Sequence, residues 1–149
     1  MAERNESVFA RMVGSLLPSR GTDDAGRGTL DDYDYNLRPK KASTVIRLAE
    51  SRANQDELQR TLELGASELW AMISRRGPEE ERTDAPMPVR IFAGGRVSGI
   101  VGIVPRGLEA PVDDALGRLA GAGKPPRIPT QIISTRGGLR VQLDLGLTR

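Results

Sequence analysis

Between residues 89 and 145 apolar and polar positions alternate in two stretches, each folded about a pair of glycines. Val89-Arg90-Ile91-Phe92-Ala93 leads into Gly94-Gly95 and then into Arg96–Val104, closed by Pro105. Two glycines between β-rich runs predict a hairpin, because a tight primed turn requires positive φ. Thr130–Thr135 and Leu139–Leu145 repeat the arrangement around Gly137-Gly138, with Leu139, Val141, Leu143 and Leu145 at period two. The segment between the hairpins has Pro111 near its start and acids in its first turn. Leu108, Val112, Ala115, Leu116 and Leu119 lie on one side, and Gly121 stands at its end. These are the signals of a short capped helix, so the predicted order is ββαββ.

Upstream the periodicity changes. Val8, Phe9, Met12, Val13, Leu16 and Leu17 form an amphipathic stripe that stops at Pro18, which predicts a helix over residues 1–17. Residues 18–41 are polar, glycine-bearing and mixed in charge, and are expected to be a disordered linker. Residues 42–76 are expected to be helical with a break. Asn54-Gln55-Asp56-Glu57 resembles a cap, and Leu58, Leu62, Leu69 and Ile73 line one side with Trp70 anchoring it. The proline-bearing, acidic run 77–88 is expected to be a linker, leaving 89–149 as a small β-rich domain. The expected fold class is α+β: a C-terminal β-barrel-like or β-sheet domain preceded by a helical segment and a flexible N-terminal arm.

A folded unit of that size buries only about 60% of its extended-chain surface. The preceding helix or a second copy is therefore expected to support it, and a homodimer stays open. Charge is unevenly distributed: through Asp84 there are 13 basic and 16 acidic residues, and from Ala85 onward 9 basic and 4 acidic. The folded half is the basic half, which favours an anionic partner, although an excess of this size also serves solubility. Only Lys40, Lys41 and Lys124 are lysines, so arginine is the default cation, as in proteins of high-GC bacteria or their phages.

The chain contains no cysteine and no histidine, which removes disulfides, thiol nucleophiles, zinc sites and imidazole catalysis. Gly121-Ala122-Gly123-Lys124 is not a phosphate loop, since Arg118 and Pro125 occupy positions that demand glycine and Ser or Thr. Asp113 and Asp114 are adjacent on a helix and do not converge as an acid–base couple; the helix dipole is their expected partner. Asp31, Asp32 and Asp34 lack the loop of a calcium hand. No enzyme, cofactor or metal is expected. No apolar run approaches the roughly 20 residues needed to span a bilayer, and no signal peptide is evident, so a cytoplasmic protein without membrane contact is expected.

Asp84–Phe92, the turn at Gly94-Gly95-Arg96-Val97 and the run Val101-Gly102-Ile103-Val104-Pro105-Arg106 resemble the second half of the HIRAN domain. The helix at 112–120 and the hairpin at 127–145 continue the likeness, which covers about residues 84–147. The resemblance implies a small OB-like β-barrel and an association with DNA ends. It transfers turn and core positions and no pocket residue.

Two functions compete on this basis. In the favoured one the protein is a non-catalytic module that binds DNA or RNA through a basic rim of Arg96, Arg106, Lys124, Arg127, Arg136 and Arg140. Single-strand binders stack bases on several rings, and Phe92, the one aromatic residue of the domain, is assigned to the core. In the alternative the protein is an adaptor that docks a protein partner through Val8, Phe9, Met12, Val13 and Leu16, or through Leu62, Leu69 and Ile73.

Overall fold

The computed structural model describes Asp24 and residues 26–149. Its strands are β1 (Ile46–Arg47), β2 (Leu69–Ile73), β3 (Pro88–Ala93), β4 (Arg96–Ile103), β5 (Arg127–Thr135) and β6 (Gly138–Leu143). Three α-helices join them: α1 (Gln55–Glu63), α2 (Pro78–Arg82) and α3 (Glu109–Gly121). All six strands form one antiparallel sheet in the order β1-β6-β5-β2-β3-β4, curled into a half-barrel. The expected ββαββ unit is present as β3–β4–α3–β5–β6.

Turn chemistry accounts for both hairpins. Gly94 and Gly95 have φ of 57° and 78°, as the primed turn requires. In the second hairpin Thr135 pairs directly with Gly138, so the loop is Arg136-Gly137 and the positive φ, 118°, falls on Gly138.

The expected helical segment 42–76 folds differently. Only α1 is α-helical; Ile46–Arg47 is edge strand β1, and Leu69–Ile73 is β2, paired with β3 on one side and β5 on the other. Gly65, at φ 65°, takes the left-handed conformation two residues beyond α1. The i, i+4 spacing of Leu58, Leu62, Leu69 and Ile73 therefore spans two elements and makes no common face. The proposed linker 77–88 contains α2 and the first residue of β3, and the sheet draws strands from both sides of it.

Residues 26–41, the described part of the expected disordered linker, pack on the body. Tyr33 and Pro39 are buried and bridged to one another, and Arg27 is bridged to Arg106. The helix expected over residues 1–17 lies outside the described residues.

Curling brings the two sheet edges together through the segment that follows β1. Ala49 exchanges hydrogen bonds of 2.9 and 3.0 Å with Ile103 of β4, while Leu48 N–H donates to Val141 of β6 at 2.9 Å. A Cβ at Gly102 would stand 2.7 Å from the Ala49 carbonyl oxygen, so glycine permits this closure. Ala71, Val89, Ile91, Ile128, Val141 and Leu143 then share one apolar core with Leu58 of α1 and Val112, Ala115 and Leu116 of α3.

Candidate nucleic-acid interface

Of the six predicted rim cations, two are structural. Arg106 is bound by Asp84 at 2.8 Å and by Glu109 at 3.2 Å. Arg140 is buried, donating to the Leu48 carbonyl at 2.8 Å with its Nε 3.8 Å from Asp24. Strand alternation does turn Arg140 away from Val141, but its guanidinium is covered, because the Leu48 carbonyl and the Asp24 carboxylate close on it. Burial opposes ionisation of Asp24. Hydrogen bonds from Ser51 and from the backbone N–H groups of Arg52 and Ser51, with the Arg140 charge, outweigh it and hold the carboxyl below its ordinary value.

The other four cations are exposed or half-exposed but do not form one rim. Arg96 and Arg136 sit at the two hairpin turns, both at the end of the sheet where β2 begins. Lys124 follows α3, and Arg127 opens β5 opposite Met72, towards the other end of β2. Asp113 and Asp114 are paired with Arg75 and Arg118 rather than reserved for the helix dipole.

Cross-strand register shows a face that the sequence reading missed. Directly opposed residues share a side of a sheet. Val97 opposes Phe92, Phe92 opposes Trp70, and Trp70 opposes Pro129. One step along, Ile100 opposes Arg90, Arg90 opposes Met72, and Met72 opposes Arg127. Every member of these two rows is half-buried or exposed, whereas Ala71, Ile91 and Ile128 on the other side are fully buried. Phe92 is thus outside the core to which it was assigned. The Arg127 guanidinium lies 4.6 Å from the Phe92 ring centroid, a cation–π contact that holds it over the sheet.

Beside Trp70 the face deepens into a groove of about 440 Å³. Pro129 lines it from the sheet, Leu119 from α3 and Leu147 from the C-terminal 3-10 turn, and Lys124 and Arg127 supply its charge. The groove is apolar enough to take a planar ring, and its cations suit an attached anion.

The alternation within each strand, though not the pairing that joins them, was present in the sequence. Leu69-Trp70-Ala71-Met72-Ile73 and Val89-Arg90-Ile91-Phe92-Ala93 both alternate small or aliphatic residues with Trp, Met, Arg and Phe. Reading the first run at helical period hid it.

The alternative docking residues are dispersed. Val8, Phe9, Met12, Val13 and Leu16 lie outside the described residues. Leu62 is 44% exposed on α1, Ile73 is buried in β2, and Leu69 is half-buried beside the core. Among the described residues no cluster of carboxylates is arranged to hold a metal ion, and no helix is long and apolar enough to cross a membrane. No protein-family model, curated protein or solved structure matches the chain.

Proposed function

We propose that this protein is a non-catalytic module that binds nucleic acid through the Trp70–Arg127 face, with unpaired bases as its preferred target. The carrying observation is the register that sets Trp70, Phe92, Arg90 and Arg127 on one uncovered side of the sheet. Single-strand binders combine such rings with cations that follow the backbone, each stacked base contributing about 1–3 kcal/mol. Trp70 offers one stacking surface, and the guanidinium of Arg127, held over Phe92, offers a second. Arg90 and Lys124 supply phosphate contacts around them, whereas Arg96, opposed to Ala93, lies on the α1 side of the sheet.

Trp70 is the sole tryptophan, so its fluorescence reports the site directly. A 12-nucleotide single strand is expected to quench it. With the phosphates at Arg90 and Lys124 contacted, log affinity should fall with log salt at a slope of about −1.4 or steeper on a single strand. Trp70→Ala, followed by anisotropy of a labelled strand, is expected to weaken binding about tenfold or more. A wild-type protein that binds neither single strand nor duplex at low salt would overturn the proposal.

The adaptor reading keeps one observation of its own, the exposure of Leu62 and Leu64 at the end of α1. A protein partner retained after nuclease treatment and lost in Leu62→Asp would favour it.

A further inference from the structure

A second groove, about 380 Å³, opens around the C-terminal end of α3 and is continuous with the Trp70 groove, sharing Leu119, Lys124 and Thr148 with it. Arg38, Arg118, Lys124 and Arg149 converge on it. Arg118 is anchored as a fixed wall: it pairs with Asp114 and donates to the Thr148 hydroxyl at 3.2 Å. Burial depresses its basicity, and the approaching charge of Arg38 depresses it further. Among the described residues no carboxylate pairs with Arg38, Lys124 or Arg149. Four cations thus line one open groove, among them Arg38 and Arg118 close enough to repel, and Asp114 is the carboxylate that pairs with one of them; an anion entering the groove would relieve this.

We propose that this cup is a phosphate subsite that holds the backbone of a strand whose base occupies the Trp70 groove. The inference rests on the proposed nucleic-acid function and gives the strand a path, from the sheet face past Lys124 to Arg38 and Arg149. A phosphodiester fits this chemistry because Arg presents planar, forked donors to phosphate oxygens. The like-charged Arg38 and Arg118 become favourable neighbours once an anion lies between them.

The test uses the full chain and its Arg38→Ala/Arg149→Ala double variant, with a 12-nucleotide thymidine strand followed by Trp70 fluorescence over a salt series. Each phosphate contact contributes about 0.7 to the single-strand slope, so with Arg38 and Arg149 added to Arg90 and Lys124 the wild type is expected at about −2.8, and losing both flattens it by about 1.4. The quench at saturation should stay the same, because the base groove is untouched. Arg38→Lys/Arg149→Lys keeps the charge and is expected to keep the wild-type slope. Inorganic phosphate is expected to compete with the strand in the wild type more strongly than in the alanine variant.

An unchanged slope in the alanine variant, or equal losses in the alanine and lysine variants, would overturn the cup while leaving the nucleic-acid function standing. Absence of wild-type binding would overturn both. Competition by inorganic phosphate with no effect of the variants on strand binding would assign the cup to a free anion and also overturn the strand path.

Discussion

Arg140 shows why a residue's charge cannot be assigned to a surface from sequence alternation alone. Its position on β6 is the outward one relative to Val141, yet it is buried against Asp24 and the Leu48 carbonyl. Breaking such a buried contact leaves the Leu48 carbonyl and the Asp24 carboxylate without their cation. Arg140→Ala is therefore expected to lower stability by about 3 kcal/mol in urea denaturation, with nucleic-acid affinity unchanged after correction for the folded fraction. Asp24 adds a pH dependence whose sign is determined by its depressed pKa. Its contribution is complete above the ordinary carboxyl value of 3.8 and is lost as pH falls from there towards the folded-state value. The stability gap between wild type and Asp24→Asn is thus expected to be largest near about pH 7 and to narrow by about pH 3. A gap that stays constant with pH would contradict this.

At the scale of elements, α1 illustrates how a short helix chooses its buried face. It is nine residues long and packs against β4 and β6, which bury Leu58 and Thr61 and leave Leu62 towards solvent. Glu57 ties it to the edge strand by accepting the Gly99 N–H at 2.7 Å, where β4 is bulged away from regular pairing. Leu58→Ala is expected to cost about 3 kcal/mol, and Leu62→Ala to stay within about 0.5 kcal/mol, in matched denaturation curves. Equal costs would mean that α1 packs through the stripe expected from its spacing.

For the whole molecule, the position of β2 decides what can fold. It lies between β3 and β5, so a fragment of residues 86–149 would leave the edges of β3 and β5 unpaired, and that of β6 where β1 is lost, and would lose Ala71 and Ile73 from the core. That fragment, which the sequence boundary at 77–88 marks as a domain, is expected to be unfolded or aggregated by circular dichroism. A chain from Asp24 to Arg149 is expected to melt cooperatively. A cooperative transition in the shorter fragment would show that the two hairpins and α3 suffice.

The two hairpins and α3 were legible in the sequence because local rules dictate them: glycines at positive φ, period-two alternation, and a proline and a glycine bounding an amphipathic run. Chain order alone likewise placed Arg96 and Arg136 at turns. Three features were decided by tertiary structure. Leu69–Ile73 satisfies both a helical and a strand pattern, and only two waiting strand edges, β3 and β5, make it a strand. Arg106 and Arg140 look like surface cations until distant carboxylates and chain segments enclose them. Trp70, Phe92, Arg90 and Arg127 come from three strands as far apart as residues 70 and 127, and no local pattern relates them. Their common face exists only because hydrogen-bond register aligns the strands, a property of pairing between segments rather than of any segment itself.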